Sequence, residues 1–132
     1  MIGHWSERGS MTAFMAVIAT ALVFVAGMAY DGGQVLTAHS RARNDAEAAA
    51  RAGAQQIDLD HLRSTNEPRL DAAAATAARD YLERVGATGT ASVSGASITV
   101  TVTRTQPMRI LPVEERVITV SETASAVDEV QP

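Results

Sequence analysis

The run Asp58-Leu59-Asp60-His61 holds the side chains that most resemble a chemical site, because two carboxylates and an imidazole stand close together. Such a group could bind a cation. Zinc and calcium loops use defined ligand spacings, however, and this run lacks them; His4 and His39 lie far away in the chain. The sequence has no cysteine, no phosphate-binding glycine loop and no glycine-flanked nucleophile. We therefore expect a solvated loop, no metal, no cofactor and no enzymatic activity.

The first element that must be placed is the run 11–30, which carries no charged residue and is followed at once by Asp31-Gly32-Gly33. At about 1.5 Å per residue it spans about 30 Å, the thickness of the bilayer hydrocarbon. A secretory signal has an apolar centre of only about 7 to 15 residues. The length therefore favours a retained transmembrane helix over 11–30 after a cytoplasmic stub, 1–10. The alternative is a secreted protein released after Ala29.

Flanking charges do not settle the orientation of this helix. Arg8 precedes the run, whereas Arg41 and Arg43 follow it. Because cytoplasmic flanks carry the excess of basic residues, this distribution weakly favours a cytoplasmic C-terminus. Against this stand the short N-terminal stub and the acidic remainder of a chain with a formal net charge of −4. All 11 basic residues are arginine and alanine is abundant, which indicates the coding bias of a GC-rich bacterial genome. We expect a single-pass protein of the bacterial cytoplasmic membrane with an extracytoplasmic C-terminal domain. The charge argues against a nucleic-acid partner, and the lipid bilayer is the first partner expected.

Residues 31–59 read as a long alanine-rich helix, in which Ala42, Ala46 and Ala50 recur at a spacing of four and so share one face. This row predicts close helix packing with another subunit. The alternative is that alanine-rich coding produces the row without a binding role. Gly32 and Gly33, where the transmembrane and long helices join, could kink or interrupt the helix.

Residues 60–127 predict a small α+β domain. A loop over 60–68 is followed by an amphipathic helix that begins between Asn66 and Asp71 and stops at Gly86. The period then changes to two, which predicts an antiparallel sheet of about three strands with a hairpin turn at Gly95-Ala96 and a third strand over 116–127. Residues 128–132 are expected to be a disordered tail. The fold class is α+β, with a single transmembrane helix continuing into a long helix.

Four apolar residues crowd between two prolines in the segment that joins the last two strands. These candidate partner-loop residues are Met108, Ile110, Leu111 and Val113. Apolar side chains in such a loop require cover. They could dock on a partner subunit, lie on the membrane surface, or close one end of the sheet.

The order of these features resembles a known family. The opening RGSMTAFMAVIATALVFVAGMAYDGGQVLTAHSRARNDAEAAARAGAQ resembles the N-terminal module of bacterial TadE/TadG-like proteins of the Flp (tight-adherence) pilus. The segment ITVTVTRTQPMRILPVEERVITVSETASA is similar to the strand, loop and strand of short actinobacterial members. The resemblance implies a membrane-anchored minor pilin or assembly factor that acts structurally at the cell surface or within a pilus. Its implied partners are other pilus or pseudopilin subunits and components of the assembly machine.

The resemblance also implies a processing site. Prepilin-type members are cut after a glycine, and Gly9 before Ser10 is the matching position. The glutamate expected five residues into the mature helix is replaced by Phe14. Two forms therefore remain open, a filament subunit processed at Gly9 and an uncleaved assembly factor. A membrane-tethered or secreted binding module unrelated to pili is the alternative function.

Overall fold

The computed structural model describes residues 6–110 and 112–126, with side chains from residue 9 onward. Its elements in chain order are α1 (Ser6–Ala54), α2 (Leu59–Thr65), α3 (Ala73–Arg84), β1 (Thr88–Ser94), β2 (Ser97–Gln106) and β3 (Arg116–Ser125). A long N-terminal apolar helix, further helices and a three-stranded antiparallel sheet confirm the predicted fold class. The predicted tail 128–132, part of the predicted stub and Leu111 lie outside the described residues.

Helix α1 is one continuous helix of 49 residues, roughly 70 Å long at the usual rise per residue. It runs through Gly32 and Gly33, so these glycines do not interrupt it. The helix ends at Ala54 rather than near residue 59. The reason is an extended pairing that the sequence pattern did not indicate: Ile57 forms an antiparallel bridge with Leu70, and the Asp58 N–H donates to the Arg69 carbonyl oxygen at 2.9 Å.

The prediction of a loop over 60–68 is wrong for its first part, because α2 begins at Leu59. Asp58 precedes the helix in an extended conformation, and its Oδ1 accepts the His61 N–H at 2.9 Å. This bond satisfies one of the free donors of the first turn. At the other end Asn66 adopts a left-handed conformation (φ 58°) and donates its N–H to the Leu62 carbonyl oxygen. Both caps are side-chain types that favour helix ends.

Helix α3 begins slightly later than predicted, at Ala73. Leu70 is held in the bridge to Ile57, and its N–H donates to the Gly95 carbonyl oxygen at 3.0 Å, so the chain there stays extended. Asp71 Oδ1 then accepts the Ala73 N–H at 2.8 Å. The predicted stop at Gly86 is confirmed, since Gly86 has φ +66°, a value that glycine adopts without steric cost.

The sheet has the order β1-β2-β3, and both pairs are antiparallel. The predicted hairpin turn is confirmed: Ser94 pairs with Ser97, and Gly95 between them has φ +60°. One face of β2 is buried, and the other carries hydroxyl groups that pair with β3. These pairs, each at 2.8 Å, are Ser97 with Ser125, Thr99 with Thr123, and Thr101 with Ser121. The period of two therefore separates the buried face from the hydroxyl face.

The core lies between the apolar face of the sheet and the two helices that cover it, the C-terminal half of α1 and α3. Its buried apolar residues are Ala38, Ala42, Ala46, Ala49, Ala50, Leu70, Ala74, Ala78, Leu82, Ile98, Val100, Val102, Ile118 and Val120. The cluster thus joins the second half of α1 to the α+β region, across the boundary predicted at residue 59. Small residues dominate the helix side, so the helices can approach the sheet closely.

Candidate functional site

The N-terminal half of α1 is almost bare of contacts with the rest of the chain. Its most apolar part is long and apolar enough to cross a membrane, and only 6% of it is buried. The exposed large apolar side chains there are Met11, Phe14, Met15, Val17, Ile18, Leu22, Val23, Phe24, Val25, Met28 and Tyr30. Exposed apolar area of this extent is costly in water and favourable in lipid. This half of α1 therefore fits a membrane anchor.

The candidate processing site lies at the beginning of this exposed half. Gly9 and Ser10 are both within α1 and both exposed. A Cβ added at Gly9 would meet nothing within 4 Å, so no packing requirement accounts for the glycine. Phe14 is exposed one turn further on. The structure thus leaves this site accessible along its helix, and cleavage there remains a prediction.

The junction between the exposed and the packed halves of α1 holds an unusual contact. Asp31 is 2% exposed, and among the described residues it is the one polar or charged residue that is buried. Its Oδ1 accepts the Arg109 N–H at 3.3 Å, and its Oδ2 accepts the Ile110 N–H at 3.1 Å. A buried carboxylate is costly unless it is hydrogen-bonded, and these donors offset that cost. Asp31 therefore fastens Arg109 and Ile110 to α1. The described residues of the segment between β2 and β3, 107–110 and 112–115, are here named the junction loop.

A glycine one helical turn earlier completes this contact. Gly27 is buried, and a Cβ placed on it would stand 2.6 Å from Ile110 Cγ2. The absence of a side chain at Gly27 lets Ile110 pack directly on the helix backbone. Gly27 and Asp31 are four residues apart and so share the face of α1 that the loop covers. Sequence reasoning missed this pair, although an acidic residue at the end of an apolar run, four positions after a glycine, was the available signal.

The remaining candidate partner-loop residues are only partly covered by this docking. Met108 is half-buried, whereas Ile110 is 51% exposed and Val113 is 57% exposed; Leu111 lies outside the described residues. The structure thus brings one edge of the loop onto α1 and leaves apolar side chains open on the other. Which surface covers those side chains stays a prediction.

The alanine row has a different contact from the one predicted. Ala42, Ala46 and Ala50 are at most 1% exposed and belong to the same buried cluster as residues of the sheet and of α3. Gly53 continues the contact: a Cβ there would stand 2.9 Å from the Ala74 carbonyl oxygen. The row does allow close packing, but within the chain. It is not a surface open to another subunit, because α3 and the sheet already cover it.

Two ion pairs reinforce the attachment of α1 to the sheet. Arg104 of β2 donates from Nη2 to Asp45 Oδ2 at 2.5 Å in a partly buried position. Arg43 Nε lies 3.0 Å from Glu122 Oε1 of β3, where the arginine side chain is largely exposed. The first pair is the more consequential for stability, because exposed pairs contribute little. Both hold α1 in one orientation over the sheet.

The run 58–61 is occupied by local structural contacts. Asp58 caps α2, and Asp60 lies on that helix within 3.4 Å of Arg63 Nη1. Within 6–110 and 112–126, no group of three or more His, Cys, Asp or Glu side chains is placed to hold a metal ion. Helix capping therefore accounts for Asp58, the first of the two carboxylates that were considered as cation ligands.

The structure defines a class of protein with one long helix. The N-terminal half of this helix is apolar and exposed, and its C-terminal half packs in a small α+β unit. Residues 9–56 match the family model Tad, described as Flp pilus-assembly TadE/G-like. The match covers nearly all of α1 and stops before α2, so it confirms the resemblance over these residues and supports a pilus-related role. The comparisons with curated proteins and with solved structures give no match.

Proposed function

We propose that this chain is a membrane-anchored, pilin-like component of a Flp/Tad-type pilus, either a minor pilin or an assembly factor. One observation carries the proposal: the residues that match the family coincide with α1, and α1 is divided into an exposed apolar half and a half that forms the core of the α+β unit. Such a helix holds a folded domain at a fixed place relative to the bilayer. The role is mechanical, through packing against other subunits, and it requires no enzymatic site.

The proposed topology is single-pass, with the N-terminus inside and the α+β unit outside the cytoplasm. The chain has no cysteine, so single cysteines report location without background. Ser92→Cys lies on the exposed side of β1, and Ser6→Cys precedes the apolar run. In spheroplasts an impermeant maleimide should label the residue-92 variant, and it should label the uncleaved form of the residue-6 variant only after permeabilisation. The reverse labelling pattern would contradict the topology, and loss of the protein from the membrane fraction would contradict the anchor.

The choice between a minor pilin and an assembly factor rests on processing. We expect the mass and N-terminal residue of protein from membrane, medium and sheared-pilus fractions to separate the two. A mature N-terminus at Ser10 in the pilus fraction supports a filament subunit despite Phe14. An intact N-terminus confined to membranes supports an assembly factor, and Tyr30 as the first residue in the medium would instead show secretion. Gly9→Val is the matched control, because Gly9 has free space around it and the substitution blocks a glycine-specific cut.

The pilus association itself is tested by deletion. A strain lacking the gene should lose or shorten its surface filaments, and the wild-type chain should restore them. Affinity-tagged protein should recover pilus components from detergent-solubilised membranes after mild cross-linking. Normal filaments in the deletion strain, together with no recovered pilus component, would favour the alternative of a tethered binding module unrelated to pili.

A further inference from the structure

We propose that the junction loop is a second membrane contact, in which Ile110 and Val113 rest in the interfacial layer of the same bilayer that holds α1. The inference rests on the proposed anchoring of α1 and specifies how the α+β unit sits on that membrane. Its occupant is a lipid surface rather than a protein.

The first argument is the position along α1 at which the loop contacts the helix. Ile110 packs on Gly27, and Gly27 lies inside the apolar run, which ends at Tyr30. Three residues of helix correspond to about 5 Å, so Ile110 lies about that far inside the end of the apolar run. Interfacial helices bury their apolar faces to a similar depth, about 5–10 Å. A loop held at this level meets lipid if the run spans the bilayer.

The second argument is that backbone N–H groups of the loop have hydrogen-bond partners. Backbone N–H groups without partners are unfavourable in the hydrocarbon region of a bilayer. The N–H groups of Arg109 and Ile110 are satisfied by Asp31, and Pro107 and Pro112 have no N–H to satisfy. The same bonds hide the carboxylate of Asp31 from lipid. The pairing therefore suits a low-dielectric environment, and it holds Arg109 and Ile110 against α1.

The third argument is the set of side chains that the loop exposes. Ile110 and Val113 present apolar side chains to the outside, and Val117 at the start of β3 adds another. Arg109 is exposed beside them, where a guanidinium can reach lipid phosphates. Glu114 and Glu115 follow and are exposed, so attraction to anionic lipid is not the main contribution. Ile110 contacts Gly27 in the exposed apolar half of α1, which is why we assign this apolar surface to the bilayer.

The test uses the full chain in vesicles of phosphatidylcholine and phosphatidylglycerol at a low protein-to-lipid ratio. Nitroxide labels are attached at Val113→Cys, at Ser92→Cys as the aqueous control, and at Val23→Cys as the lipid control on α1. Accessibility to oxygen, which concentrates in lipid, is compared with accessibility to a water-soluble nickel chelate. The residue-113 label should show an oxygen-to-nickel ratio several-fold above that of residue 92 and below that of residue 23. Adding Asp31→Ala should lower the ratio at residue 113 and leave the other two unchanged.

A water-accessible label at residue 113, with residue 23 still in lipid, would overturn the inference and leave the anchor intact. A water-accessible label at residue 23 would show that the proposed anchoring itself fails. A label at residue 113 that is shielded from both reagents, and increasingly so as the protein-to-lipid ratio rises, would also overturn the inference, because a second copy of the chain would then cover the loop.

Discussion

The carboxylate of Asp31 accepts the backbone N–H of Ile110 at 3.1 Å, across 79 positions of sequence. Asp31 lies where the exposed apolar half of α1 ends, and Ile110 lies in the loop that joins the last two strands. This bond attaches the loop to α1 at the point where the two halves of the helix meet, in addition to the core contacts that α1 makes with the sheet further along.

Removing the Asp31 carboxylate should release the junction loop. Asp31→Ala leaves two loop N–H groups without their acceptor, and we expect a loss of about 1–3 kcal/mol in the free energy of unfolding. Asp31→Asn, which keeps one acceptor oxygen, should lose less. Limited trypsin digestion in detergent measures the release, since cleavage after Arg109 should accelerate in the alanine variant. Cleavage after the exposed Arg63 serves as the internal control, and an unchanged rate at Arg109 would contradict the fastening role.

The same substitution should have opposite effects at two glycines of α1. Gly53→Ala places a Cβ 2.5 Å from Ile98 Cδ1 and 2.9 Å from the Ala74 carbonyl oxygen; overpacking of this kind costs about 1–3 kcal/mol. Gly33→Ala meets nothing within 4 Å and should stabilise the helix by about 0.5–1 kcal/mol. Thermal unfolding in detergent, followed by circular dichroism, measures both. Equal midpoints for the two variants would contradict the close approach of α1 and α3.

Breaking the Asp45–Arg104 pair should cost more than breaking an exposed pair. Asp45→Ala leaves a partly buried guanidinium whose Nε already has no partner among the described residues, and we expect a loss of about 1–3 kcal/mol after allowing for its partial exposure. Arg51→Ala, which removes the exposed pair with Glu47, should cost less than about 1 kcal/mol. Urea unfolding of the two variants in the same detergent tests the ranking, and similar losses would argue against the burial effect.

Enlarging the alanine row should destabilise the fold rather than a subunit contact. Ala46→Leu adds volume at a fully buried position, and overpacking there should cost about 1–3 kcal/mol. Ala52→Leu, at a half-buried position on the same helix, is the matched control and should cost less. Thermal midpoints in detergent decide the matter. An unchanged midpoint for Ala46→Leu, with weaker recovery of a pilus partner, would restore the interpretation of the row as a subunit interface.

Several features of the fold could be predicted because they depend on local pattern. The uncharged run 11–30, the period of two around Ile98, and the turns at Gly86 and Gly95 each appear as expected. Helix α2 was missed, because the turn-forming residues around it are also good helix caps, and the same residue types favour both outcomes. The pairing of Ile57 with Leu70, which ends α1 early, had no local signal.

The sequence by itself determined the long helix, α3, the three strands and which half of α1 is apolar enough for lipid, since periodicity and composition act over a few neighbouring residues. It did not determine α2 or the end of α1 at Ala54. Only the tertiary structure decided which surface each face meets. The alanine row packs on the chain's own sheet and α3, and Asp31 is buried beneath the junction loop. These contacts join residues distant in sequence, and their geometry depends on the simultaneous packing of α1, α3 and the sheet, which no local spacing encodes.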